Sequence, residues 1–308
     1  MNGVWQARRG EPAYPPSLED LGKRAPPGLY GCGRPSALVD WDLECTVTVV
    51  GSRRASSYGV AVAEELGHLV AAAGLTVVSG MARGIDAAAH RGALEAGGRT
   101  VAVLGGGPDV VYPAGERRLY ERILEAGAAV SEWPAGQKPS AGAFPRRNRL
   151  MAAMSRLTVV VEGAERSGSL ITAREALDLG RSVGAVPGPV NSWLSAGPNH
   201  LLADGALVVR DAQDVLDSML GVGAKSVRGR GPELDPGLRE AAALVEQGSV
   251  TCDAVAHRLG SSPEGAAIAL AQLELLGYVR VDARGRYART TLVPPDAHDD
   301  EEGAEEGS

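Results

Sequence analysis

Between residues 46 and 209 the chain alternates short apolar runs with longer amphipathic stretches. The runs are TVTVV (46–50), LTVVS (75–79), RTVAVL (99–104), AAVSE (128–132), LTVVVE (157–162), SVGAV (182–186) and ALVV (206–209). Their length and β-branched content predict buried strands. Between most of them, apolar positions recur at helical spacing over 58–73, 85–95, 115–125 and 170–179. Uninterrupted apolar strands separated by helices imply a parallel sheet covered on both faces. The pattern predicts an α/β fold, a Rossmann-like doubly wound and mostly parallel sheet, over residues 45–220.

The flanks read differently. Residues 1–44 are rich in Pro, Gly and charge, with scattered Trp and Tyr, and predict an extended lead-in packed on the core. Residues 221–232 read as a linker. Over 233–290, three short helix patterns and a two-strand pattern around ARGR predict a small winged-helix domain. Residues 291–308 are acidic and cannot bury enough apolar area to offset chain entropy, so a disordered tail is expected.

Composition sharpens this picture. Aromatics are only 4% of a chain that is 44% hydrophobic, so the core must be built from Ala, Val, Leu and Ile. The net charge of −7 is misleading, because seven of the acids fall in the last 18 residues and the remainder is neutral. Three cysteines, an odd count without a CxxC pair, point to reduced thiols and a cytoplasmic location. No apolar leader and no membrane-length apolar run is present, so no membrane association is expected.

Against that neutral background, 138–156 (KPSAGAFPRRNRLMAAMSR) stands out. It holds Lys138, Arg146, Arg147, Arg149 and Arg156, no acid, and Phe144, the single phenylalanine. Guanidinium groups grip phosphate with two prongs, and a neighbouring ring can stack on a base. A solvated basic helix start is an equally available reading of the charges alone.

Ligands of doubly wound sheets lie at the carboxyl ends of the strands. The loop after the first run is VVGSRRASSYG, with Gly51, Ser52, Arg53 and Arg54. It is neither GxGxxG nor a Walker A motif, so no nucleotide cofactor is expected. Small residues and guanidinium groups before a helix predict a phosphate seat at that helix start. The loop SGMARGIDAAAH (79–90) repeats the pattern with Arg83, and ERSGSLITA (165–173) offers Ser167, Gly168, Ser169 and Thr172. Asp86 and His90 lie four apart and read as a helix-stabilising or orienting pair rather than an acid/base pair. No catalytic residue and no metal site is predicted. Three such loops beside a basic segment suggest several phosphates on one rim, hence a nucleic-acid strand.

Taken together, the motifs YPPSL (14–18), PPGLYGCG (26–33), VGSRRASSYG (50–59), VVSGMARGIDAAAHRGAL (77–94) and FPRRNRLMAAMS (144–155) resemble the DprA/Smf family, DNA-processing protein A. VAVLGGGPDVVYPAGERRLYERI (101–123), VVEGAERSGSLITAREALDLGR (160–181) and GPNHLLADGA (197–206) continue the match. The resemblance implies a cytoplasmic, non-enzymatic protein that binds and protects single-stranded DNA. It further implies loading of the RecA recombinase in natural transformation, and homodimers formed through the Rossmann-like domain. Carried over by motif, Arg53 would contact phosphate and Phe144 would face a base. Arg147, Asn148 and Arg149 belong to the same run, and Arg83 and the SGS serines would line the same rim. Many members carry a helical domain ahead of the YP motif. Here 13 residues precede Tyr14, so what that domain does elsewhere does not transfer.

Two other functional classes compete with this one. A Rossmann-like nucleotide or nucleoside hydrolase of the lysine-decarboxylase-like group should show a PGGxGT-type motif. GGGPDVVYP (105–113) is only superficially similar, and spacing does not pair Asp86, Glu132 and Glu162. A sequence-specific regulator is disfavoured because the stretch 263–277 has Glu264 and Glu274 and no Lys or Arg, where base readout uses basic or amide side chains. The hairpin arginines Arg280, Arg284, Arg286 and Arg289 could touch phosphates, which suggests a protein-interaction or auxiliary DNA module.

Overall fold

The computed structural model describes residues 3–39, 41–221, 232–248, 251–281 and 285–289. The chain divides into two compact units, at Ser226 and Val227. Most of the 221–232 segment, Arg284 and the 291–308 stretch lie outside the described residues.

The first unit is a nine-stranded sheet. In chain order its strands are β1 (Trp5–Arg8), β2 (Gly28–Gly33), β3 (Thr46–Val50), β4 (Thr76–Ser79), β5 (Thr100–Val103), β6 (Ala128–Ser131), β7 (Leu157–Val160), β8 (Ser182–Ala185) and β9 (Leu207–Val208). They lie side by side in the order β1-β2-β6-β5-β4-β3-β7-β8-β9. The seven strands from β3 onward pair in parallel; β1 and β2 add an antiparallel edge. The apolar runs therefore form the parallel sheet that their pattern predicts. The segment 1–44 is more than a lead-in, because it contributes both antiparallel strands. Gly31, opposite Trp5 in that pairing, leaves room for its ring: a Cβ there would sit 2.1 Å from it.

Helices cover both faces. α1 (Ser57–Ala72), α2 (Ile85–Glu95) and α7 (Ala212–Leu220) pack with Val47, Val49, Val77 and Val159 in one core. α4 (Ala143–Ala153) and α5 (Gly168–Asp178) pack with Val50, Val78, Val101 and Val160 in the other. Alternate residues of one strand thus feed opposite cores, which is why the runs are largely apolar, with charge only at their ends. α3 (Arg117–Ala126) shields Leu104 and Ala129 with Leu119 and Ile123. α6 (Ala196–Ala203) completes the β8–β9 crossover.

The chain steps outward from β3 to β6, then returns to place β7 against the other side of β3. The strand order reverses between β3 and β7, so a crevice opens above their carboxyl ends.

The second unit has three helices, α8 (Pro236–Glu246), α9 (Cys252–Leu259) and α10 (Pro263–Leu275), and a hairpin of β10 (Val279–Val281) with β11 (Tyr287–Arg289). Each helix starts on a side-chain cap: Asp235, Thr251 and Ser262 accept from the N–H groups of Leu238, Ala254 and Gly265. Leu238, Val255, Leu270, Leu273 and Tyr278 form its core.

Candidate functional site

A cavity of about 730 Å³ opens over the β3–β7 crevice. Gly51, Ser52 and Arg53 line it from the loop after β3, and Phe144, Arg147 and Asn148 from the first turns of α4. Ser167, Gly168, Ser169 and Thr172 close it from the start of α5. A second cavity of about 440 Å³ is lined by Arg53, Arg54, Arg83, Tyr112, Phe144 and Arg147. Arg53, Tyr112, Phe144 and Arg147 line both, so the two cavities share a wall.

That wall is built from an arginine and two rings. The guanidinium carbon of Arg53 lies 5.0 Å from the centroid of Phe144, within cation–π range. Tyr112 packs against the same ring, its centroid 5.4 Å from that of Phe144 at an interplanar angle of 37°. Phe144 is half-buried, and Gly105 lets it approach: a Cβ at that position would lie 3.0 Å from the ring. Arg53, Arg54 and Arg83 are exposed.

The arginines of α4 have different fates, although their sequence context is the same. Arg147 is buried and donates from Nη1 to the carbonyls of Gly80 and Val103, stitching the ends of β4 and β5 together. Its Nε donates to Asn148 Oδ1 at 3.2 Å, and Asn148 Nδ2 donates to Gly168 O at 3.0 Å, so this chain reaches the start of α5. Burial pushes the Arg147 pKa down to about 10, against the attraction of Asp86. Arg149 is also buried, but it turns away from the cavity to grip both carboxylate oxygens of Glu132 at 2.9 and 3.0 Å. Arg146 is exposed and lies over the Trp133 ring at 5.2 Å. Lys138 is exposed and, with Arg146 and Arg149, lines neither cavity.

The two helix starts also differ. The phosphate seat expected at α1 is already filled. Glu162 follows β7 and accepts from Ser56 N–H at 2.9 Å and from Ser56 Oγ at 2.5 Å. Ser56 Oγ in turn accepts from Gly59 N–H, so a protein carboxylate satisfies this helix dipole. At α5, Ser167 makes no side-chain cap; its hydroxyl lies 2.6 Å from that of Ser169. Thr172 Oγ1, one turn further, is buried without a partner. Unlike the start of α1, that of α5 is therefore left without a side-chain cap.

Asp86 and His90 do not act as a pair. Asp86 accepts from Ala82 N–H at 3.4 Å and faces Arg147 and Arg53, while burial raises its pKa. His90 lies in the core with Nδ1 2.7 Å from Thr100 Oγ1, and burial pushes its pKa down to about 3. No group of three or more His, Cys, Asp or Glu among the described residues could hold a metal ion.

Two residues that line the cavity were not singled out as site residues by sequence, Tyr112, which lies inside the 101–123 motif, and Trp193, which lies in none. Both line the larger cavity, and both are about half exposed or more, 49% and 61%. In a chain with so few aromatics, a large ring in a Pro- and Gly-rich loop just after a strand is the signal that could have found them.

The profile of the family described as DNA recombination-mediator protein A matches residues 6–220. The chain belongs to the DprA/Smf family. A Mycobacterium tuberculosis protein that bears the DprA name is 42% identical over 293 residues, which is 89% of this chain and 73% of that protein. The X-ray structure of Streptococcus pneumoniae DprA superposes with a TM-score of 0.64 at 39% identity, covering 69% of this chain and 73% of that one. Helicobacter pylori DprA, whose structure was described for its single-stranded DNA binding mode, gives 0.63 at 26% identity, covering 71% and 98%. The DprA/Smf match spans the whole nine-stranded sheet except the first residue of β1, and with it both cavities.

Proposed function

We propose that this protein binds single-stranded DNA across the carboxyl edge of its sheet, protects it, and loads RecA recombinase onto it during natural transformation and recombination. The observation that carries the reading is the Arg53–Phe144 pair on the wall of an open cavity at the strand-order reversal. A base stacks on the ring, phosphates pair with Arg53, Arg54 and Arg83, and the free start of α5 takes another phosphate. Fully paired duplex offers no such base face, so single strands are preferred. The role is binding, not turnover: Glu162 caps a helix, Glu132 is paired with Arg149, and Asp86 is held by backbone N–H. The H. pylori relative supports this reading through its single-stranded DNA binding mode. The protein works in the cytoplasm as a homodimer formed through the Rossmann-like domain. No helix among the described residues is long and apolar enough to cross a membrane.

The test is fluorescence anisotropy of labelled oligo-dT and a matched duplex over a salt series. Tight single-strand binding that weakens with salt is expected. Equal binding of the duplex would refute the stacking step. RecA filament assembly on coated single strands, with and without the protein, tests the loading step. Light scattering on the purified chain tests the dimer.

A further inference from the structure

The larger cavity has a second aromatic wall that the DNA-binding reading does not use. Trp193 lies in the connection between β8 and α6, 61% exposed, and lines the same cavity as Phe144. Large exposed rings are rare in a chain with 4% aromatics, and a wet indole at a cavity mouth leaves apolar surface in water without folding benefit.

Its backbone is held in place. The carbonyl of the next residue, Leu194, accepts from Gly163 N–H at 2.7 Å, and Gly197 N–H donates to Gly163 O at 2.8 Å. Asn199 clamps the other end of the segment, accepting from Gly188 N–H at 3.2 Å and donating to Gly188 O at 3.0 Å. The fit is tight: a Cβ on Gly188 would meet Ser195 Oγ at 2.2 Å, and one on Gly197 would meet Gly163 O at 2.7 Å. A ring on a fixed backbone loses little conformational entropy when a ligand stacks on it.

Its position relative to Phe144 matters as well. Phe144 packs over Arg53, which follows β3, and Gly105, which follows β5. The residue next to Trp193, Leu194, is bonded to Gly163, which follows β7, on the other flank of the reversal point. The loop that starts at Gly163 leads directly into Ser167 and the open N-terminus of α5. One flank therefore offers a ring with arginine, and the other a ring with a helix start. That arrangement repeats the base-plus-phosphate unit of a strand.

We infer that Trp193 is a second base-stacking platform, which seats another nucleotide of the same strand on the far side of the crevice from Phe144. This rests on the single-stranded DNA reading above. The groove then runs from the Tyr112–Phe144 wall across the crevice to Trp193, and the ligand is an oligonucleotide rather than a mononucleotide.

The experiment uses the full chain, labelled oligo-dT, and a backbone-matched abasic strand. Trp193→Ala should weaken oligo-dT binding about five- to 140-fold, the range for one lost stack. It should leave abasic-strand binding unchanged, and Trp193→Phe should restore most of the affinity. Oligo-dT should also quench tryptophan emission in the wild type and quench it less in Trp193→Phe. Wild-type affinity for oligo-dT in Trp193→Ala, or an equal loss on both strands, would overturn the platform. If the wild type binds neither strand, the DNA reading itself fails, and that result is distinct from a silent Trp193 variant.

Discussion

Glu162 and Ser56 are joined by two hydrogen bonds, from Ser56 N–H at 2.9 Å and from Ser56 Oγ at 2.5 Å, although 106 residues separate them. The pair ties the end of β7 to the start of α1 across the reversal point. It places a fixed carboxylate where doubly wound proteins commonly seat a ligand phosphate. Gly59 makes room for it, since a Cβ there would fall 2.4 Å from the Glu162 carboxylate. Glu162→Ala should cost about 1–3 kcal/mol, the range for a buried, charge-assisted bond whose donors are left unpaired. Gly59→Ala should also destabilise by displacing the carboxylate. The double variant should be less destabilised than the sum, because the methyl group added at position 59 then has space. Urea unfolding midpoints of the four proteins decide this, and strict additivity would show that the two residues do not share one site.

Arg149 and Arg146 should separate stability from binding. Arg149 and Glu132 are both buried, with side chains 7% and 8% exposed. Removing one partner of such a pair typically costs about 3–5 kcal/mol, because the other charge stays buried and unpaired. Arg149→Ala should therefore lower the thermal midpoint strongly. Arg146 is 58% exposed and 3.5 Å from Glu132, an arrangement worth little to the fold. Arg146→Ala should unfold like the wild type. A stable Arg149→Ala protein with impaired DNA binding would instead place that guanidinium in the DNA site.

These two arginines also mark where sequence reading stops. The parallel strands were legible because each feeds two cores and so is buried on both faces and largely β-branched, as Val47, Thr48, Val49 and Val50 are. Tertiary strand pairing is not written in local pattern, so β1 and β2 were hidden in Gly- and Pro-rich sequence. Within FPRRNR the cluster of charge was visible, but not its division. Whether a guanidinium meets a carbonyl, a carboxylate or solvent depends on partners far along the chain: Arg147 on Gly80, and Arg149 on Glu132. The same holds for α1, whose apparent phosphate seat is taken by a carboxylate more than a hundred residues away. Phe144 and Arg53 were legible as types, and their contact was not.

His90 gives the fold an acid-sensitive point. Burial holds its folded pKa at about 3, whereas the unfolded side chain takes up a proton near 6.5. In that window the unfolded state binds the extra proton, so stability falls as pH is lowered from 6.5 towards 3. Asp86 acts in the opposite sense. Its pKa is raised, so its contribution is fullest in acid and is lost as pH rises through its folded value. The histidine should account for a loss of about 2 kcal/mol between about pH 7 and pH 5. His90→Gln should flatten that part of the urea-midpoint profile whatever its effect at neutral pH. An unchanged slope would mean that His90 is protonated in the folded protein.

Arg53 and Phe144 should fail in distinguishable ways. Arg53 is exposed, and in the proposed binding mode it makes one phosphate contact. Arg53→Ala should weaken single-strand binding and reduce the slope of log affinity against log salt by about 0.7. In the same proposed mode Phe144 contributes stacking, which counterion release does not govern. Phe144→Ala should cost about 1–3 kcal/mol of affinity and leave the salt slope near its wild-type value. The stacked pair itself adds a coupling, because removing the ring also frees the guanidinium it positions. The double variant should therefore lose less than the sum of the single losses. Anisotropy titrations of the three variants over one salt series supply every quantity. A Phe144→Ala protein whose salt slope falls like that of Arg53→Ala would show that the ring only positions the arginine and meets no base.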